Sequence, residues 1–351
     1  MRHCSAVILL LALARPVLAA DSYPINVYPC PKVGGAQAPA LRLDGKLDDA
    51  AWQQAPLVGG FVHYESGQTA DPQTFFRVLW DDDNLYFGLT CDEPLMTKVT
   101  PVRNAHDEHD IFRSETLEVF IEPEHTHGRY YQLAFSVAGS LYDGEGMTTT
   151  WDSNAQVKTW VGTDGWSAEM AVPWGPMKAR PRVGQIVGFN ISRDRNVGAQ
   201  ACTTWARVDT SLGFHDPERF AHLVLSGTPE ILGKLSADFR KGGRTGPLAV
   251  YSAEGFAQTS YTQLATAAFA EVERLLVSLE AACQKEKDPA AAAEVKRRLD
   301  DYAARLAAMK TTAGSLDAAQ WTRLDVALQS LATALQKTVG EARLKALLDR
   351  I

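Results

Sequence analysis

Beyond its first twenty residues the chain has no apolar run approaching the roughly 20 residues that a membrane-spanning helix needs. It has no CxxC pair: its five cysteines, Cys4, Cys30, Cys91, Cys202 and Cys283, are far apart, which argues against a cysteine-built metal site. It also lacks basic excess. Lys and Arg number 35 against 42 Asp and Glu, a formal charge of -7. The surplus acid lies between Asp21 and Gly255, with 20 basic and 30 acidic residues; Phe256 to Ile351 carries 13 and 12. This balance argues against nucleic acid or an anionic membrane as partner, and suits a neutral ligand or a divalent cation.

What is present starts with the pattern expected of an export signal. Arg2 and His3 precede the apolar run Ser5 to Ala14, and Val17-Leu18-Ala19 has the small-residue spacing of a signal peptidase site. Residues 1–20 are therefore expected to be a signal peptide, and the protein to be secreted or periplasmic. Cleavage would remove Arg2, Arg15 and Cys4, leaving 33 basic and 42 acidic residues, a charge of -9. Disulfides can persist in such a compartment, but four remaining thiols allow three pairings and no bridge is assigned. Cys91 and Cys283 read equally well as buried thiols.

With 351 residues, 46% of them hydrophobic, the chain can build two or three domains. From Leu41 to Leu225 it consists of short runs rich in Val, Leu, Phe, Tyr and Trp between Asp, Asn, Gly and Pro clusters, the pattern of an all-β sandwich or barrel. Strands are predicted at Thr74–Trp80, Leu85–Cys91, Thr116–Glu122, Tyr130–Val137, Trp166–Trp174 and Ile186–Asp194. The sandwich is assigned to 21–226 and a Gly- and Lys-rich linker to 227–258.

Residues 259–351 read as helical. Leu264, Ala268, Val272, Leu275, Leu279 and Cys283 share one helix face; so do Val295, Leu299, Tyr302, Leu306 and Met309, and then Leu324, Leu328, Leu331 and Leu335. Asp288-Pro289 is a helix start, and Gly314-Ser315 a break. A bundle of about three antiparallel helices follows, its stripes forming a core; the alternative is a coiled-coil face for self-association or a partner protein.

The order of motifs resembles the family 9 carbohydrate-binding modules and the wider DOMON-like sandwich domains. The resemblance rests on LDGKLDDAAW from Leu43, RVLWDDDNLYFGLTCDEP from Arg77, SETLEVFIEPE from Ser114 and RYYQLAFSVAG from Arg129. It continues in GWSAEMAVPW from Gly165, VGFNISRDR from Val187 with TTW at Thr203, and FHDPERFAHLVL from Phe214. It covers residues 40 to 226 and implies an immunoglobulin-like or jelly-roll sandwich, structural calcium and binding of sugar chains. In sugar-binding members two tryptophans clamp a pyranose, because flat aromatics suit its apolar C–H faces while polar groups take its hydroxyls.

Carried over, the clamp positions are Phe112 and Phe214, both phenylalanine where the pattern has tryptophan. Glu118 is the retained hydroxyl acceptor, an expected basic residue is Ala134, and an expected amide is Ser211. Strand alternation independently puts Glu115, Leu117, Val119 and Ile121 on one face, expected to be core, and Thr116, Glu118, Phe120 and Glu122 on the other, expected to be half solvated. A plain cross-strand contact to an Arg or Tyr is the competing role for Glu118. Trp151, set among polar residues, is a candidate extension of the sugar platform, whereas the other strand tryptophans read as core.

Asp82 and Asp83 in the turn DDDN, and Asp110 in HDEHD (His106 to Asp110), are candidate calcium ligands. The turn also reads as self-capped, and HDEHD as a solvated loop, since five adjacent residues cannot all face one ion. His125 to His127 read as part of a hairpin turn ending at Gly128.

The expected function is a secreted, non-catalytic protein that binds poly- or oligosaccharide in support of carbohydrate catabolism. One alternative is hydrolysis of O-glycosyl compounds by Glu118 with Glu115 or Asp110, although Glu115 is on the opposite strand face. Others are a ligand-free scaffold, or a haem site using Met96 with His106 or Met147 with His63.

Overall fold

Period-2 alternation becomes two sheets packed face to face. The computed structural model describes residues 23–34, 41–208, 211, 213–256, 259–312 and 316–348; the expected signal segment 1–20 and Gly314-Ser315 lie outside them. The strands are β1 Ile25–Cys30, β2 Val62–His63, β3 Thr74–Trp80, β4 Asn84–Asp92, β5 Thr116–Glu122, β6 Tyr131–Ser136, β7 Leu141–Glu145 and β8 Gln156–Val161. They continue as β9 Gly165–Pro173, β10 Ile186–Arg195, β11 Ala201–Thr204, β12 Ala221–Leu225, β13 Leu248–Val250, β14 Gly255–Phe256 and β15 Thr259–Ser260. All six strands expected from the sequence form, each within one residue of its predicted ends.

One sheet has the order β13-β1-β12-β10-β5-β6-β7, with β11 and β2 continuing from β10; the facing sheet is β3-β4-β9-β8. Between them lie Leu117, Val119 and Ile121 of β5, Phe76, Val78 and Trp80 of β3, Phe87 and Leu89 of β4, and Phe189 and Ile191 of β10. These side chains alternate along each strand, so each inner face contributes every second residue.

The motif LDGKLDDAAW has a structural job. The backbone N–H groups of Asp44 and Gly45 both donate to Glu169 Oε2 at 2.7 Å, and the Trp52 indole donates to Oε1 at 2.8 Å. The buried Glu169 thereby pins the turn to β9. Gly45 is needed there: its φ is +89°, and a Cβ would lie 2.5 Å from the backbone of Thr159.

The expected linker is instead part of the sandwich. Residues 227–258 supply helix α1, Pro229–Lys234, and β13, which pairs in parallel with β1. Phe239 is buried there with Ile25, Val27 and Val224. The Gly and Lys clusters masked this short strand and buried aromatic.

Helices α2 Tyr261–Cys283, α3 Pro289–Thr312 and α4 Ala318–Leu348 follow. Ser260 and Gln263 make a reciprocal capping box on α2, and Asp288 Oδ1 accepts from Ala290 N at 3.0 Å at the start of α3. The predicted stripes form the bundle core, with Leu279, Leu299, Leu306, Leu328, Leu331 and Leu335 buried together. A partner chain would therefore have to use outer helix faces. The bundle also rests on the sandwich: Arg323 of α4 reaches Asp92 at 3.1 Å and stands over the Phe75 ring, while Gln329 donates to Thr69 Oγ1 at 2.9 Å. No described helix is long and apolar enough to cross a membrane.

The four cysteines that follow Cys4 are all free; Cys30 and Cys91 are buried, Cys202 and Cys283 partly so.

Candidate functional site

The outward face of β5 is built by register. Glu118 pairs with Ala134 of β6 and Ser192 of β10, and Ala134 in turn pairs with Tyr142 of β7, so these four side chains form one row across the sheet. The next row runs from Asn190 through Phe120 to Gln132.

This face is not half solvated as expected. Every residue of β5 is buried, and Glu118 is only 4% exposed. Phe120 is covered by Phe214, His215 and Phe220, with ring centroids 6.4, 5.3 and 5.6 Å away, and by Tyr130. The segment after β11 folds back over the sheet, which alternation within β5 does not encode.

Glu118 has two polar partners. Gln132 donates its amide N–H to Glu118 Oε2. Glu118 also hydrogen-bonds Asp194 of β10, whose Oδ1 accepts from Cys202 Sγ at 3.3 Å. Burial pushes the Glu118 carboxyl well above the usual carboxylate range, and the charge of Asp194 pushes it further, against the lowering effect of Gln132. Burial raises Asp194 too, while hydrogen bonds from Glu118 and Cys202 favour its ionised form. Glu118, the more deeply buried of the two, is thus the one pushed up more strongly. Asp194, only partly buried, is the member that meets solvent. The competing idea of an Arg or Tyr contact for Glu118 gives way to this amide and carboxylate pair.

The two clamp candidates flank this face. Phe112 lies half-buried in the 3-10 turn His109–Arg113 and packs edge-on against Tyr142, with centroids 5.1 Å apart. Phe214 is half-buried and packs edge-on against Tyr64 at 5.1 Å. Ser211 is exposed in the turn leading to Phe214. Tyr130 and His215 share a 2.8 Å hydrogen bond beside Phe120. Asp194, Gln132, Tyr142 and Tyr64 were not singled out from sequence; period 2 in β6 and β10 was the available signal for the first two.

Trp151 does not extend the platform. It packs on Tyr131 at 4.4 Å and donates its indole N–H to Pro176 O at 3.1 Å, against the main core. Its polar neighbours in sequence face elsewhere. Trp160 of β8, expected in the core, is the exposed one at 47%.

The calcium set is not brought together. Asp82 pairs with Lys32 at 2.6 Å, Asp83 is exposed, and Asp110 pairs with Arg113 at 3.3 Å in a separate turn. Asp81 caps the DDDN turn, accepting from the Asp83 and Asn84 N–H groups at 2.9 and 2.7 Å. Nor do the haem pairs present matched ligands: Met96 is buried in the main core, whereas Met147 is 78% exposed.

Glu115 is occupied elsewhere. It is buried at the entry to β5, accepts from the Asn196 and Val197 N–H groups at 2.6 and 2.8 Å, and pairs with buried Arg193 at 3.1 Å. Arg193 also pairs with Glu93 at 3.0 Å, which in turn binds Arg195 at 2.7 Å.

The family model described as carbohydrate family 9 binding domain-like matches residues 43–228, more than half of the chain. The chain belongs to this family. The chain is also similar to segments of two curated enzymes, endo-1,4-beta-xylanase A of Thermotoga neapolitana and of Thermotoga maritima. Each is 28% identical, over 188 and 204 residues, covering 52% and 53% of this chain. The matches span only 17% and 18% of those xylanases. Among solved structures, a family 9 module from Caldicellulosiruptor kristjanssonii in complex with cellotriose aligns at 16% identity and a TM-score of 0.43. That alignment covers 58% of this chain and 95% of the module. The helical bundle of α2, α3 and α4 lies beyond the residues of the family 9 domain.

Proposed function

We propose that the sandwich is a non-catalytic saccharide-binding module, with its ligand seated on the outer face of β5, β6 and β10 between Phe112 and Phe214. The observation that carries this reading is the Glu118–Asp194 pair. A buried acid hydrogen-bonded to Asp194 fixes the direction of this partly exposed carboxyl group, suited to accept hydrogen bonds from sugar hydroxyls. Half-buried Phe112 and Phe214, with Tyr142 and Tyr64 behind them, offer apolar surface for the C–H faces of a ring.

Family membership supports the same ligand class, and the xylanase relatives suggest xylan as a first target. Hydrolysis fits less well. Glycoside hydrolases hold their two carboxyl groups about 5–5.5 Å or about 6.5–9.5 Å apart across the scissile bond. Glu118 and Asp194 are in hydrogen-bond contact, and Glu115 is neutralised by Arg193. With the expected export signal, this reading makes the protein an exported binding partner in carbohydrate breakdown, its helical bundle serving attachment or assembly.

Affinity electrophoresis through gels containing xylan, soluble cellulose derivatives and mannan tests it. Retardation by at least one polymer is expected, reduced by Asp194→Asn and by Phe214→Ala. Equal mobility of all three proteins in every gel overturns the site. Release of reducing sugar from the same polymers overturns the non-catalytic reading.

A further inference from the structure

We propose that His106, Asp143 and Asp152 form a binding site for a divalent transition-metal ion of the zinc type. One ligand atom from each lies within 4.8 Å of the other two. His106 Nε2 is 3.7 Å from Asp143 Oδ2. Around a tetrahedral ion with bonds of about 2.0–2.2 Å, neighbouring ligand atoms sit roughly 3.3–3.6 Å apart, so small side-chain movements close the set.

A separate observation points to a missing partner. Asp143 is 0% exposed, and its Oδ1 has no hydrogen-bond partner. Its other oxygen, Oδ2, the one His106 approaches, accepts from the Ser153 N–H at 3.1 Å and from the Ser153 hydroxyl, which hold the carboxylate in place beside the imidazole. A buried carboxylate oxygen left without a donor is costly, and a cation would satisfy it. Asp107 stands next to the set, its Oδ2 3.5 Å from His106 Nδ1 and its Oδ1 accepting from the Asp143 N–H at 3.1 Å. It is placed to orient the imidazole from its second nitrogen, as carboxylates do at zinc-bound histidines.

An imidazole with two carboxylates favours zinc-like ions over calcium, which prefers six to eight oxygens. His106 and Asp152 are exposed, which gives the ion a route in and leaves room for water as a further ligand. The three residues come from the loop before β5, from β7 and from the loop before β8, so the ion would cross-link segments distant in sequence.

The test uses the full chain, stripped with a chelator and titrated with cobalt(II), zinc and calcium. One cobalt per chain with visible d–d absorption is expected, displaced by zinc, together with a rise in thermal midpoint on adding zinc. His106→Ala, at an exposed position, should weaken zinc binding more than about tenfold and remove the absorption. His125→Ala, in the buried His125–His222 pair elsewhere on the sandwich, should leave both unchanged. Absence of stoichiometric cobalt binding, or absorption that survives His106→Ala, overturns the site. A larger midpoint rise with calcium than with zinc overturns the ion class.

Discussion

Glu118 of β5 and Asp194 of β10 share a hydrogen bond across neighbouring strands, with Glu118 the more deeply buried of the two. Both carboxyl groups are shifted upward in the folded protein, so folding binds protons more tightly than the unfolded chain does. Their contribution is therefore full below the ordinary carboxylate range and is lost as pH rises through the folded values. Glu118→Gln removes that loss. Its thermal midpoint is expected to exceed the wild type's at pH 8 by about 2–4 °C for each kcal/mol of relieved cost. The difference should vanish near pH 4, and differential scanning calorimetry at both pH values checks it.

Histidines give the opposite slope. Burial lowers His125 to about 4 and His222 well below its usual value, with each lowered further by neighbouring cationic side chains. Depressed histidines bind fewer protons folded than unfolded, so stability falls as pH drops from about 6.5 toward 4. Urea midpoints of the wild type and His222→Phe should therefore diverge between pH 7.5 and pH 5, the variant losing less.

Arg193 sits between Glu93 and Glu115 with almost no exposure. Arg193→Met would leave two buried carboxylates without their shared cation, at an expected cost of about 3–5 kcal/mol in urea unfolding. Loss of less than about 1 kcal/mol would mean that the backbone donors to Glu115 suffice.

Phe112 is a clamp candidate, half-buried against His109 and Tyr142. Phe112→Trp enlarges the flat surface and adds an indole N–H donor, and is expected to tighten saccharide retention by about 1 kcal/mol, roughly fivefold. Retention gels read this directly, with Trp160→Ala on the other sheet as a control that leaves retention unchanged.

Much of the fold was legible in the sequence. Alternation in β3, β4, β5 and β9 names the residues that meet between the sheets, and the leucine stripes of α2 to α4 name the bundle core. Periods of 2.0 and 3.6 are properties of the backbone itself, so they survive any tertiary arrangement. The row containing Glu118 was legible too, as a face.

What covers that face was not legible. Phe120 on that face is covered by the segment around Phe214 and Phe220, about a hundred residues later, folding over β5. The upward shift of Glu118 depends on its burial and then on Asp194 being brought alongside by the pairing of β5 with β10. Trp151 and Trp160 exchange their expected roles for the same reason, because exposure is set by distant packing and not by the polarity of sequence neighbours. Local pattern determined the elements and their inward sides. Tertiary structure alone decided which charges meet, since electrostatic and desolvation energies depend on distances that only the closed chain defines.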